Sequence, residues 1–364
     1  MSSGPAVGQD SVPPVSVLPR GLIILQGLSA AVITAAGIYL MAWLIAPVFL
    51  SLVIVVCVSP VQGWLRRHGV RHWLATAALV LSIYGLLVVL GVVLVIGIGQ
   101  LTSLLPQYAE AAHDLVDSIT GTLARFGVAP EELQTMAGAF DPAQLTDLLG
   151  SMLAELGNAV SNTVLVLCLL LFISLESRYA GARIARIAAE RPQIAVALRE
   201  FAWSTRRYMV VTTVFGVLTG IIDGTLLALL GVPLPVLWGL LAFITNYIPN
   251  VGFIFGLVPP ALLALLDGGW GLMLAVTAVY IVINFVIESL VQPRFLGGAV
   301  GLSSTVTFVT LLFWAWVLGP VGAILAIPLT LLGKALLVDV DPRAGWLRAL
   351  IGPRTIRPAP AETG

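Results

Sequence analysis

Charge is missing from most of this chain, and that absence dictates its fold class. Residues 21–65 contain no Asp, Glu, Lys or Arg, and neither do 72–109, 156–175 or 224–266. From Gly224 to Gly333 the only charges are Asp267, Glu288 and Arg294. A helix needs about 20 apolar residues to span a bilayer core. Runs this continuous lack the alternation of a transmembrane barrel. The chain is therefore an all-α integral membrane protein. Charged residues make up 10% of it, whereas a soluble domain carries about 25%, so an ordinary soluble enzyme is excluded. Eighteen basic residues balance eighteen acidic ones, which gives no bulk attraction for nucleic acid. Cys57 and Cys168 lie in apolar runs, and His68, His72 and His113 are scattered, so neither a metal site nor a cofactor is implied.

The apolar runs divide the chain. A polar, Pro-rich tail (1–20) precedes three spans within 21–98, near 22–43, 47–64 and 73–98, with the first two split around Trp43–Pro47. A cleaved leader is the alternative for the first, but the run continues directly into a second span. Residues 99–155 carry eight acidic groups and one basic one, Arg125. A fourth span fits 156–175. Residues 176–207 carry seven Arg and three Glu, and a motif-rich core (208–338) and a basic tail (339–364) follow. Short cytoplasmic loops collect Arg and Lys, which places 66–72, 176–207 and both termini inside and the acidic stretch outside. Asp141-Pro142 reads as a helix start. The leucines that follow, from Leu145 to Leu156, predict an amphipathic helix packed on the membrane domain or on a neighbouring subunit. The inner stretch reads as two basic amphipathic helices broken at Arg191-Pro192; they lie on anionic lipid or serve a docking or gating role.

Two segments of the core do not fit single spans. Residues 235–266 would form a straight helix of about 48 Å, longer than the ~30 Å hydrocarbon core. Pro249, Asn250, Gly252, Pro259 and Pro260 interrupt it. Residues 303–338 break similarly at Gly319, Pro320 and Gly322, with Pro328 beyond. The fifth span (about 208–230) ends outside and the tail is inside, so an odd number of crossings lies between them. Two hairpins and one full span (270–291) satisfy this, with the first hairpin entering from outside and the second from inside. Interrupted helices of opposite orientation around a midplane site are a transporter device. Simple kinks in tilted helices are the alternative. About eight helical membrane segments result, two of them proline-broken hairpins.

Intramembrane carboxylates are costly and mark ion or substrate paths. Asp223 shares a helical stripe with Thr212, Gly216 and Thr219, while Gly216, Gly220 and Gly224 offer close helix approach. Glu288 shares another stripe with Thr277, Tyr280 and Asn284, with Gln292 beyond. An ion pair with Arg294 is the structural alternative for Glu288. Asn246 and Asn250 flank the first break and either contact a polar solute or cap helix ends.

These motifs resemble the autoinducer-2 exporter family, also called PerM-type permeases. The similarity rests on Ile248-Pro249-Asn250-Val251-Gly252 with Gly256 and Pro259, and on Ile287-Glu288 followed by Gln292-Pro293-Arg294-Phe295-Leu296-Gly297. The run from Gly319-Pro320-Val321-Gly322 to Pro328-Leu329 completes it. Phe253 stands where the family often has proline, and Ser303-Ser304 where a Ser-Pro step is common. The resemblance implies a bacterial inner-membrane protein that assembles as a homo-oligomer. Family members are linked to export of a quorum-sensing signal, autoinducer-2, and others to sodium or proton antiport.

The leading expectation is a secondary transporter or facilitator exporting a small polar solute, with Asp223 or Glu288 coupling protons and Asn246 and Asn250 contacting solute. A monovalent cation–proton antiporter and a non-transporting scaffold are the alternatives. No His-Glu-x-x-His, Gly-x-Ser-x-Gly or phosphate loop is present, so an enzyme is not expected.

Overall fold

The computed structural model describes residues 19–108, 164–249, 251–296 and 301–340, with isolated positions between 109 and 163 and at 352. The expected amphipathic helix of the acidic stretch, Asn250 and Gly297 lie outside the described residues. All regular structure among the described residues is helical. Five helices are long and apolar enough to cross a membrane, or six counting a pair bent by 60°, Val164–Ser177 and Ala180–Glu190. The expected count of eight, which takes each hairpin as one segment, is not confirmed among the described residues.

The first helices are α1 (Arg20–Leu40) and α2 (Ala42–Arg67), followed by α3 (His72–Leu104). The first two separate at Met41, earlier than the proline suggested, and Pro47 sits inside α2. Proline lacks an amide proton, so Pro60 deprives the Val56 carbonyl of its helical donor. Arg206 supplies one: its Nε donates to that oxygen at 3.0 Å, and its guanidinium also donates to Ser59 Oγ at 2.7 Å. A side chain from another helix thus satisfies a backbone group freed in the membrane, as hydrocarbon surroundings demand.

After α4 (Val164–Ser177) and α5 (Ala180–Glu190), a single helix, α6 (Pro192–Leu229), organises the rest. The helix break at Arg191-Pro192 falls where the sequence placed it, with Pro192 at the first helical position. The second basic helix then runs on into the fifth span without interruption. At 38 residues, α6 is about 57 Å long.

Both proline-glycine segments fold back on themselves. In the first, α7 (Pro235–Thr245) ends before Asn246 and α8 (Gly252–Asn284) returns beside it. A Cβ on Gly256 would lie 3.6 Å from the Ala242 Cα, and one on Gly252 would strike the Thr245 carbonyl. In the second, α10 (Ser304–Ile324) turns at Gly319 (φ 68°) and α11 (Ala326–Lys334) returns. Trp314 Nε1 donates to Thr330 Oγ1 at 3.2 Å; a straight helix would hold these residues about 24 Å apart. A Cβ on Gly322 would strike the Trp314 carbonyl, the counterpart of the Gly252 contact.

Pro259 and Pro260 do not end the first hairpin. Helix α8 runs through them and turns only at Gly269 (φ 70°), after which helix continues through Asn284 into the segment expected to cross. Seven residues of π-helix, Phe285–Val291, follow, then α9 (Gln292–Leu296). Pro293 cannot donate into an α ladder, and the wider π turn accommodates the missing bond.

The two hairpins lie along opposite halves of α6. The first packs on its C-terminal half, where a Cβ on Gly220 would sit 2.5 Å from the Gly239 carbonyl, and one on Gly239 the same distance from that of Gly220. These are the small-residue steps expected from the sequence, with backbone against backbone. The second packs on the N-terminal half, where Ala197, Phe201 and Tyr208 join Leu325, Ile327, Leu329 and Leu331 in one core. The tips meet: Ile248 and Val251 of the first contact the cluster of Leu311, Ala323 and Ala326 in the second.

Candidate functional site

The first hairpin brings polar groups into an apolar interior. Asp223, on the buried stripe of α6, is completely inaccessible to solvent. Around it, Thr245, Asn246, Phe253, Gly256, Tyr280, Asn284 and Glu288 line a small cavity with room for about one water-sized particle. The site therefore combines two carboxylates, two amides and two hydroxyls from α6, the end of α7, the part of α8 beyond Gly269 and the π segment.

The amides are fixed from behind. Asn246 Nδ2 donates to the Thr212 carbonyl at 2.9 Å, with its side chain over Gly216. Asn284 Nδ2 donates to the Tyr280 carbonyl at 2.9 Å. Each amide oxygen is left as an acceptor. In contrast, both carboxylate oxygens of Asp223 and the hydroxyl of Tyr280 have no hydrogen-bond partner. Buried polar groups are almost always paired, and an unpaired carboxylate is the costliest exception. Such an arrangement suits a site that takes up and releases a proton, a cation or a polar solute.

Of the residues singled out from sequence, Asp223, Asn246, Asn284 and Glu288 converge here. Gly256 serves the site directly, since a side chain there would press on Thr245 Oγ1. Gln292 is buried but does not line the cavity, and Arg294 is exposed. The Glu288–Arg294 ion pair is not formed; among the described residues the ion pairs are Arg183–Glu176 and Lys334–Asp339. The π turn carrying Glu288 changes the angular register beyond it, so the stripe extrapolated with α-helical spacing does not carry Gln292 to the cavity. Arg207 instead reaches this region, its Nε donating to the Phe295 carbonyl at 3.0 Å. Thr245 and Tyr280 were not singled out for the site. Tyr280 was visible on the Glu288 stripe, and Thr245 stands one residue before Asn246.

Comparison with known proteins agrees with this architecture. Residues 28–340 match the model of the AI-2E family transporter. The AI-2 transport protein TqsA of Escherichia coli K12 is 34% identical over 320 residues, covering 86% of this chain and 91% of the relative. A putative transport protein of Haemophilus influenzae is 31% identical, over 90% of this chain and 95% of its own length. The putative transport protein YhhT of E. coli is 29% identical over 92% and 95%. The chain is a multi-pass membrane protein, and it belongs to the AI-2E transporter family.

Proposed function

We propose that the protein is a secondary transporter or facilitator that exports a small polar solute, and that Asp223 and Glu288 couple its movement to protons. One observation carries this reading. A fully buried carboxylate with both oxygens unpaired shares with a second carboxylate a cavity that has room for about one water-sized particle. A structural ion pair would have brought a cation to the site; a transport site leaves the acceptors for its cargo. The naming of TqsA makes autoinducer-2 the first solute to test. The two hairpin tips provide the two-sided closure that alternating access requires. We place the protein in a bacterial inner membrane with both termini inside, from the arginine distribution, and as a homo-oligomer by family resemblance.

The same oxygen-rich cluster supports a second reading, exchange of sodium or another monovalent cation for protons. Purified protein in liposomes separates the two. With autoinducer-2 as probe, an imposed pH gradient drives uptake at least tenfold above protein-free vesicles, and Asp223→Asn or Glu288→Gln removes the gradient dependence while the fold persists. Sodium-dependent proton flux with no autoinducer-2 movement selects the antiporter. Unchanged flux and pH dependence in both variants excludes the coupling role.

A further inference from the structure

Polar groups follow one face of α6 far beyond the cavity. Thr205, Tyr208, Thr212, Gly216, Thr219 and Asp223 succeed one another at steps of three or four residues, so all lie on one stripe. The stripe is interior: Thr205 and Asp223 are 0% exposed, Thr212 1% and Thr219 2%. Asn246 occupies the notch at Gly216 and supplies the polar group that glycine lacks. A polar side chain therefore recurs every ~4.5–6 Å over about 27 Å.

These hydroxyls behave differently from threonines on other faces of the same helix. Thr213 donates to the Met209 carbonyl at 2.6 Å and Thr225 to that of Ile221 at 2.7 Å, the usual way a helical hydroxyl satisfies itself in an apolar medium. Thr205 and Thr219 make no such bond, and their oxygens have no partner, like those of Asp223. The Tyr208 hydroxyl lies beside Thr212 and 3.5 Å from the Tyr247 carbonyl. The titratable groups along the stripe are Tyr208 within it and Tyr280 and Glu288 at the Asp223 end; Tyr247 turns its carbonyl to Tyr208 and its hydroxyl to Thr213, at 2.7 Å, on the neighbouring face.

The other end approaches water. One turn beyond Thr205, Phe201 is buried; beyond it Ala197 and Glu200 line a charged cleft of about 450 Å³ with Gln193, Lys334 and Asp339. Lys334 and Asp339, five residues apart, are joined at 2.8 Å across the π-helical turn Ala335–Asp339.

We infer that this stripe is a hydrated proton path that connects the charged cleft to Asp223, with Phe201 at its mouth. Buried hydroxyls left unpaired in a row are tolerated where a chain of water molecules bridges them, and such a chain passes protons while being too narrow for a solute. The inference rests on the coupling role proposed for Asp223 and adds the route by which its proton arrives.

The test uses the purified full-length chain in liposomes with trapped pyranine and autoinducer-2, an inward proton gradient, and valinomycin with potassium to clamp the potential. Thr205→Val and Thr219→Val keep the side-chain shape and remove the hydroxyl; each slows internal acidification at least fivefold. Thr219→Ser keeps the hydroxyl and restores the rate. Thr225→Val stays within twofold of the unmodified protein. If Thr205→Val and Thr219→Val also stay within twofold while Asp223→Asn abolishes proton entry, the path is wrong and the coupling role survives. If Asp223→Asn leaves the rate unchanged as well, both fail. Absence of protein-dependent proton entry in the unmodified chain overturns the path outright.

Discussion

The two hairpins share a backbone plan and differ in what they hold. Each turns at a Pro-Gly sequence, and in each a tip glycine is pressed against a carbonyl of the incoming arm: Gly252 against Thr245, Gly322 against Trp314. The first hairpin meets α6 through glycine backbones and surrounds two carboxylates and two amides. The second meets α6 through Leu325, Ile327, Leu329 and Leu331. Its internal polar tie, Trp314 to Thr330, is satisfied within the hairpin itself. The buried carboxylates and amides thus gather at one of the two opposed elements. The difference suggests a division of labour in which the first hairpin carries the site and the second acts as an apolar wedge closing on its tip.

Substitutions at equivalent contacts should separate these roles. The largest effect is expected from Gly220→Val, because a side chain there meets the Gly239 carbonyl, and neither backbone can retreat without unseating the hairpin. Overpacking of this kind costs about 3 kcal/mol, read as a fall in thermal midpoint in detergent together with loss of transport. A folded, active Gly220→Val variant would break the claim that backbone contact seats the first hairpin. Leu325→Ala comes next. Leu325 is fully buried between the second hairpin and α6. Lipid is as apolar as leucine, so the loss is mainly a packing defect, about 2 kcal/mol. Stability should fall while autoinducer-2 uptake per folded molecule is retained. Trp314→Phe should cost least, about 1 kcal/mol for one hydrogen bond, with the site at the first hairpin unaffected. A loss of pH-gradient dependence in Trp314→Phe would contradict the division of labour.

Much of this was legible in the residues. The gaps in charge located the membrane helices, and Pro249, Gly252 and Gly319 marked turns because proline removes a donor and glycine admits positive φ or close approach. Asp223 and Glu288 stood out because carboxylates are rare in such surroundings. Three features were hidden for identifiable reasons. The π turn at Phe285–Val291 shifts the register, so Gln292 does not reach the cavity that Glu288 lines. Pro259 and Pro260 sit inside a continuing helix, since a helix in a membrane protein tolerates proline where neighbours satisfy the freed carbonyls. Trp238 is 3% exposed and donates to the Pro233 carbonyl at 2.8 Å, a tertiary contact that composition does not reveal.

The most direct measurement joins the two tips. In a background with Cys57 and Cys168 replaced by serine, Val251→Cys and Ala326→Cys place thiols on opposite hairpins at their junction. A short bifunctional thiol reagent should link them and stop autoinducer-2 flux in liposomes, with flux returning on reductive release. Full flux through the linked protein would show that the solute does not pass where the hairpins meet.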